Sequence, residues 1–187
     1  DVVMISADAA VTEIALDSQE VQIHIATAVE DVDGVRQAVI AFPAGVTAEM
    51  TLPDGSKQPM TTMNVRATEY TVGDKGPAAM PAPLPPASGY TYAVELSVDE
   101  AIAAGAKSVV FSKPVWVYVD NFIHFPAGVA VPSGYYDADK AQWIASTDGL
   151  VVKVIANDGV SITIDADGDG DGDADDDAML GALGVAR

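Results

Sequence analysis

An acidic run near the C-terminus holds the residues whose types and spacing point most directly to chemistry. It contains eight aspartates in thirteen residues, and no lysine or arginine: Asp165, Asp167, Asp169, Asp171, Asp173, Asp175, Asp176 and Asp177. Carboxylates this close repel one another, and a hard cation with many oxygen ligands relieves that repulsion. Ca²⁺ is the usual cation for such a ligand set, so the run predicts a calcium site in an extracellular protein.

The spacing of these aspartates fits a calcium-binding loop that supplies oxygen ligands from positions 1, 3, 5, 7, 9 and 12. If the loop begins at Asp165, then Asp167 and Asp169 take positions 3 and 5. Gly170 then takes position 6, where the chain must turn sharply, and Asp176 takes position 12. The alternative interpretation of the run is a flexible, solvated acidic linker.

A second register of the same loop begins at Asp167. The loop would then use Asp167, Asp169, Asp171 and Asp175, with Gly172 at position 6. In this register the run resembles the D-x-D-G-D-G-x-x-D-D phrase of thrombospondin type 3 and dockerin-like calcium loops. Position 12 is Ala178, so Asp176 or Asp177 would have to supply the bidentate carboxylate.

Composition limits the classes of partner. The chain of 187 residues has the length of one domain or two small ones, and 49% of its residues are hydrophobic. Its net charge of −19 opposes binding to nucleic acid and to anionic membranes, so we expect neither as a partner. The absence of cysteine excludes disulfides, thiol catalysis and cysteine-ligated zinc. No apolar run approaches the roughly 18 residues of a membrane span.

Strand patterns dominate the rest of the chain and predict an all-β fold, with one or two small β-sandwich-like subdomains and an acidic calcium-loop tail. The expected strands are Val21–Ile25, Val35–Phe42, Glu49–Leu52, Lys57–Met63, Asn64–Val72, Thr91–Val98, Ser108–Ser112, Pro114–Val119 and Val160–Ile164. Pro53-Asp-Gly-Ser56 predicts a tight turn between two antiparallel strands. Ser146-Thr-Asp-Gly149 predicts a second hairpin, between Tyr135–Ile144 and Leu150–Ile155.

Two further segments have their own signals. Asp99–Gly105 predicts one or two helical turns, with Asp99 as the cap and Gly105 at the end. Five prolines between Gly76 and Gly89 predict an extended loop that crosses between sheets.

The two histidines are expected to be structural. Val21, Ile23 and Ile25 share one face of their strand, which places His24 on the polar face, at the surface. His124 lies between Ile123 and Phe125 and is expected to be a packed or half-exposed strand residue.

One phrase occurs twice and bears on the domain organisation. Phe42-Pro-Ala-Gly-Val46 recurs as Phe125-Pro-Ala-Gly-Val129, and each copy is expected to end an apolar strand and start a turn. Unless a common turn phrase recurs by chance, the repeat indicates two similar β-subdomains that meet near residue 120. We therefore predict a sandwich-like subdomain over residues 1–120, a second small β subdomain or an extension of the first over 121–164, and a calcium-binding segment over 165–187.

Two pairs of stretches carry a family resemblance. The first pair is Val65-Arg-Ala-Thr-Glu-Tyr-Thr and Leu84–Ser97, and the second is Val109-Val-Phe-Ser-Lys-Pro-Val-Trp-Val-Tyr-Val and Gly134–Gly149. Together they resemble the β-rich region ahead of the tyrosine–aspartate (Rhs/YD) repeats of large secreted bacterial proteins. Their order is also similar to the β-sandwich domain of zonula occludens proteins, netrin receptors and ankyrins.

The resemblance implies a structural or interaction module, extracellular or at the cell surface. Its partners would be neighbouring domains of a longer polypeptide or another surface protein. Some eukaryotic relatives cleave themselves at a His-Phe-Ser triplet. Here the triplet is His124-Phe125-Pro126, which lacks the nucleophilic hydroxyl, so that activity is not expected.

Two other functions are open alternatives. A carbohydrate-binding module would use exposed aromatic rings, for which the candidates are Trp116, Tyr118, Tyr135, Tyr136 and Trp143; core packing is the favoured interpretation of these residues. A hydrolase would need a carboxylate pair or a triad. Glu95, Asp99 and Glu100 are the candidate acids, but they lie at a strand end and a helix start, and no G-x-S-x-G motif is present, so we expect no enzyme.

A smaller acidic group, Glu30-Asp31-Val-Asp33-Gly34, repeats the aspartate pattern in miniature. A plain turn is the favoured interpretation, and a second cation site is the alternative.

Overall fold

The computed structural model describes residues 3–73, 75–86, 89, 91–157 and 162–170. Over these residues the protein is all-β, as predicted, with small antiparallel sheets and a single short α-helix. The chain divides into two compact units. The first unit comprises Asp1–Met80 and Tyr90–Phe122, and the second comprises Pro81–Gly89 and Ile123–Arg187. In the described ranges, no helix has the length and apolarity to cross a membrane.

The first unit contains the described elements β1 (Thr12–Ala15), β2 (Gln22–Ile25), β3 (Val29–Asp31), β4 (Gly34–Arg36), β5 (Ala38–Phe42), β6 (Ala48–Thr51), β7 (Lys57–Met60), β8 (Thr62–Glu69), a 3-10 turn (Pro77–Ala79), β9 (Val94–Val98), α1 (Asp99–Ala103), β10 (Ser108–Phe111) and β11 (Trp116–Val119). Three sheets have the strand orders β1-β8-β9, β11-β5-β2 and β10-β6-β7, and β3 and β4 form a separate hairpin.

The core of the first unit lies between two sheets. Ile14 and Met63 are paired on β1 and β8, and both are completely buried. Ile40 and Phe42 on β5 belong to the same buried cluster, so the β1-β8-β9 sheet faces the β11-β5-β2 sheet. Burying each such side chain stabilises the fold by about 1.5–3 kcal/mol. The arrangement is a small β-sandwich.

The two faces of β2 are inverted relative to the sequence pattern. Ile23 and Ile25 are half-exposed, whereas His24 is completely buried. The register explains the inversion, because His24 pairs with core residue Ile40. Gln22 also contacts the other layer: its side chain accepts from and donates to the backbone of Ala15, at 2.8 and 2.7 Å. The predicted surface position of His24 is therefore wrong.

The predicted turn at residues 53–56 is present between β6 and β7, which pair antiparallel. The predicted strand Val35–Phe42 is divided at Gln37, whose side-chain amide donates to the Ala26 carbonyl at 2.6 Å. At α1, Val98 is the N-cap residue and no side chain caps the helix. Asp99 instead forms an ion pair with Arg66 at 2.8 Å, so the capping prediction is wrong.

The second unit contains the described strands β12 (Ala130–Val131), β13 (Gly134–Asp137), β14 (Gln142–Ala145), β15 (Gly149–Leu150), β16 (Lys153–Asn157) and β17 (Ile162–Asp165). They form three two-stranded antiparallel pairs, β12-β15, β13-β14 and β16-β17.

The hairpin in the second unit turns earlier than predicted. β13 pairs with β14, and Leu150 pairs with Ala130 instead of continuing a hairpin around Ser146–Gly149. The turn closes locally because the Asp137 carboxylate accepts from the Lys140 amide at 3.0 Å and pairs with the Lys140 ammonium at 2.6 Å. These local bonds place the turn between β13 and β14, which is earlier in the sequence than the Asp148-Gly149 turn signal.

Candidate metal centre

Three aspartates at the start of the acidic run lie together. Asp165, Asp167 and Asp169 each offer a carboxylate oxygen, and the three oxygens lie within 4.8 Å of one another. Because two oxygens bound to one Ca²⁺ at 2.3–2.6 Å are separated by up to about 5 Å, this spacing suits a single ion. The trio corresponds to positions 1, 3 and 5 of the loop that begins at Asp165.

The loop itself orients these carboxylates. Asp165 is the last residue of β17 and is buried, and its Oδ1 accepts from the Gly168 amide at 2.6 Å. Asp167 Oδ1 accepts from the Asp169 amide at 3.0 Å. Gly168 has φ +85°, a conformation that L side chains rarely adopt, and this residue reverses the chain so that alternate carboxylates converge. The pattern of aspartate and glycine therefore builds a tight, polar turn.

A second segment, Ala127-Gly128, packs against the backbone of the acidic loop at Asp167 and Gly168. Gly128, in the second copy of the repeated phrase, approaches the backbone carbonyl of Asp167 so closely that a Cβ on Gly128 would lie under 3.0 Å from it. Gly168 is in the same relation to the carbonyl of Ala127. The Gly128 amide donates to the Val151 carbonyl at 2.8 Å, and Ala166 is completely buried. Two glycines thus allow the acidic loop to contact a fixed turn, backbone against backbone.

The supporting role of Gly128 was not predicted from the sequence. The repeat of Phe-Pro-Ala-Gly-Val was the available signal, and both copies place their glycine at positive φ, +65° for Gly45 and +82° for Gly128. The surroundings of the copies differ. Phe42 ends β5 in the buried core, whereas Phe125 is exposed and follows no described strand directly.

The remaining predicted metal ligands lie outside the described residues: Asp171, Asp173, Asp175, Asp176 and Asp177. Three carboxylates provide part of the six to eight oxygens that Ca²⁺ takes.

The smaller acidic group is a turn, as favoured by the sequence. Asp31 and Gly34 pair at the end of the β3-β4 hairpin. Both carboxylate oxygens of Asp31 accept from the Arg36 guanidinium at 2.8 Å, and these hydrogen bonds lower the pKa of Asp31 to about 2. Because Arg36 already pairs with this carboxylate, the structure favours the turn over a second cation site.

Arg36 is the centre of a buried charged cluster in the first unit. Its Nε donates to the Glu69 carboxylate at 2.6 Å, and its guanidinium lies 4.6 Å from the centre of the Phe122 ring. The hydrogen bonds that the guanidinium donates to Asp31, and also to Glu69, raise the pKa of Arg36. The cluster joins the β3-β4 hairpin to the end of β8 and to the last residue of the first unit.

The surroundings of both histidines differ from those expected from the sequence. His24 Nδ1 is 3.0 Å from the Thr12 hydroxyl, and Nε2 is buried with no hydrogen-bond partner in the described part of the chain. Burial lowers the pKa of His24. His124 is exposed, has φ +58° and lies outside any strand, which corrects the prediction of a packed strand residue.

The candidate catalytic acids are engaged separately. Asp99 pairs with Arg66, which lowers its pKa. Glu100 accepts from the backbone and side-chain amides of Asn64, at 2.8 and 2.6 Å. Glu95 accepts from the Tyr70 hydroxyl at 2.5 Å. Each of the three carboxylates therefore has a different hydrogen-bond partner within the first unit.

The candidate aromatic side chains differ in their surroundings. Trp116 and Tyr118 pair with Ala41 and Val39, so they lie on the face of the sheet opposite core residue Ile40. Trp143 lies in the second unit, where it stacks edge-on with Tyr136 at 5.5 Å and donates to the Ala82 carbonyl. Tyr118 and Tyr135 are 46% and 52% exposed, so the prediction of core packing is wrong for these two residues.

Comparisons with known proteins add no family. No family model matches the chain, and the searches of curated proteins and of solved structures found no significant match.

Proposed function

We propose that this chain is a non-catalytic structural and interaction module of a secreted or surface-exposed bacterial protein, and that its acidic run binds Ca²⁺. The observation that carries the proposal is the convergence of Asp165, Asp167 and Asp169, whose oxygens lie within 4.8 Å of one another. The later aspartates of the run and water would complete the coordination shell.

The concentration of negative charge favours a divalent cation at this place. The acidic run of eight aspartates contains no lysine or arginine of its own. Asp165 is buried; the hydrogen bond from the Gly168 amide offsets part of the cost of burying its carboxylate, and a bound metal would lower that cost further. A bound Ca²⁺ would turn the repulsion among three carboxylates into attraction to a shared ion.

Calcium would then act as a structural ligand. Binding to the folded loop and not to the unfolded chain stabilises the fold by about 2.7 kcal/mol when the free ion exceeds the dissociation constant a hundredfold. Calcium-binding modules outside the cell commonly have dissociation constants of about 0.1–1 mM. Calcium would therefore stabilise the loop of Asp165, Asp167 and Asp169 in the calcium-rich medium outside the cell, which is the compartment that the proposed surface role requires.

Thermal unfolding in excess chelator and in millimolar CaCl₂ tests the proposal. We expect calcium to raise the melting temperature, and we expect the triple substitution Asp165→Asn, Asp167→Asn and Asp169→Asn to abolish the increase. The matched control changes three exposed aspartates elsewhere, Asp33, Asp139 and Asp148, to asparagine. It removes the same charge and should keep the calcium response.

Two outcomes would contradict calcium binding. The first is an equal melting temperature in chelator and in calcium. The second is a calcium response that survives the triple substitution at Asp165, Asp167 and Asp169. An equal response to MgCl₂ at the same concentration would contradict the choice of calcium, because Mg²⁺ keeps its waters and requires shorter, octahedral coordination.

A further inference from the structure

The β1-β8-β9 sheet and the β11-β5-β2 sheet leave their inner faces uncovered along one side of the first unit. Leu96 on β9 pairs with core residue Ala67, and Val117 on β11 pairs with core residue Ile40. Side chains that pair directly across strands lie on the same face of a sheet, so Leu96 and Val117 both point inwards. They are nevertheless 48% and 44% exposed, whereas Ala67 and Ile40 are each 3% exposed. The sandwich is therefore open between β9 and β11.

The opening is an apolar cleft of about 500 Å³. Its lining includes core side chains from both sheets, among them Ile40, Phe42, Val65, Val98 and Phe111. Glu95 and Lys107 are the charged residues of the lining. The volume falls within the range of roughly 300–1,000 Å³ that is usual for ligand sites, and the composition favours an apolar occupant.

Strand β11 borders this cleft and has a free edge. Among the described strands, β5 is the one that pairs with it, so the backbone groups on its other edge point away from the sheet. Natural edge strands are usually protected by lysine, proline, a bulge or a covering segment. The sequence Trp116-Val-Tyr-Val119 contains no such residue, and Val117, Tyr118 and Val119 are all exposed. This edge is a template for a further strand.

The outer face beside β11 is apolar as well. Trp116 and Tyr118 lie on that face, and the inversion of β2 places Ile23 and Ile25 there too, both half-exposed. A strand added at β11 would thus find apolar surface on both sides, the cleft inside and this face outside. Such a strand would need apolar side chains at successive positions.

The negative charge of the first unit indicates which kind of polypeptide would bind at this edge. The first unit has 16 aspartates and glutamates against six lysines and arginines, and Asp120 directly follows β11. A second copy of this chain carries the same excess and would be repelled. Basic residues beside the apolar positions of a partner would be attracted.

We propose that the outer edge of β11 accepts an extended segment of another polypeptide, apolar at successive positions and flanked by lysine or arginine. The backbone of that segment would hydrogen-bond to β11, and its inward side chains would fill the cleft beside Leu96 and Val117. This is binding by strand addition, in which main-chain bonds supply affinity and pockets supply specificity. The inference specifies a partner for the proposed interaction role and does not depend on calcium.

Selection from a displayed library of random seven-residue peptides, on the whole chain, tests the inference. We expect enriched peptides with three or more successive apolar or β-branched residues and a flanking Lys or Arg. The substitution Val117→Asp, which places a charge in the cleft, should weaken their binding at least tenfold. Val110→Asp is the matched control, because Val110 is similarly exposed but pairs with Glu49 outside the cleft.

A synthetic copy of the best peptide, N-methylated at alternate residues, tests the backbone contribution, and it should bind at least tenfold more weakly. Binding should be equal in calcium and in chelator, which separates this inference from the calcium proposal. Four results would overturn the inference: no enrichment, equal binding to the Val117→Asp and Val110→Asp variants, no effect of N-methylation, or a concentration-dependent dimer that Val117→Asp disrupts. The last result would assign the edge to a second copy.

Discussion

The contact between Gly128 and the acidic loop predicts a specific effect of one added methyl group. Gly128 has φ +82°, and a Cβ there would lie under 3.0 Å from the Asp167 carbonyl oxygen. Gly170 is the matched control within the same unit, because its φ is +80° and a Cβ there would meet nothing within 4 Å. Alanine at either position is strained at positive φ, which lowers the free energy of unfolding by about 1–2 kcal/mol. The substitution Gly128→Ala also forces a backbone carbonyl aside.

The size of the additional cost follows from this geometry. Overpacking in a well-packed region typically costs about 1–3 kcal/mol, and a backbone atom cannot yield as a flexible side chain does. Gly128→Ala should therefore destabilise the second unit by about 2–5 kcal/mol, and Gly170→Ala by about 1–2 kcal/mol. The displacement of Asp167 should also weaken calcium binding about tenfold or more, which corresponds to at least ~1.4 kcal/mol.

Urea denaturation followed by tryptophan fluorescence measures the difference. In a Trp116→Phe background, Trp143 is the remaining tryptophan and reports on the second unit. Isothermal titration with CaCl₂ then gives the affinity of each variant. If Gly128→Ala and Gly170→Ala reduce the free energy of unfolding by the same amount, within about 0.5 kcal/mol, the backbone contact does not stabilise the loop and the reasoning fails.

Two further predictions concern buried groups of the first unit. Arg36→Ala leaves the almost fully buried Glu69 carboxylate without its cation and should lower the free energy of unfolding by about 3–5 kcal/mol in urea titrations; Lys57→Ala, which breaks an exposed ion pair, should cost under about 1 kcal/mol, and equal losses would refute the argument. His24 faces Asp8, which raises its pKa, and Arg66, which lowers it, but burial dominates and the pKa is lowered. The unfolded chain therefore takes up a proton first, so stability should fall between pH 7.5 and pH 5.5 as the pH passes the unfolded value of about 6.5. His24→Gln should flatten this fall, and an unchanged pH dependence would show that His24 is not responsible.

Local signals in the sequence were sufficient for some elements. The β6-β7 hairpin was predictable because Pro53-Asp-Gly-Ser56 contains its own turn chemistry, and the structure pairs Thr51 with Lys57 around it. The convergence of Asp165, Asp167 and Asp169 was likewise predictable from alternating aspartates and glycines, which act within a few residues of one another.

Features that depend on distant partners were not predictable. The alternation in β2 suggested that Ile23 and Ile25 would be buried, but Gln22 and His24 bond to β1, and those tertiary hydrogen bonds reversed the faces. Asp148-Gly149 predicts the turn of the hairpin in the second unit, whereas the structure turns earlier along the chain, where Asp137 accepts from Lys140. The alternation of apolar and polar residues predicts that a strand is present. Which face of that strand is buried depends on its partners far away in the sequence.

The Arg36 cluster has a consequence for the order in which the molecule can mature during its synthesis. It joins Asp31, Arg36 and Glu69 to Phe122, which is the last residue of the first unit. The ribosome must therefore synthesise the whole first unit before the Arg36 guanidinium can contact the Phe122 ring. Contacts of such long sequence separation slow folding, because the chain loses loop entropy before it gains them. Fragments that end before residue 122 should accordingly be poor substitutes for the intact unit in any binding experiment.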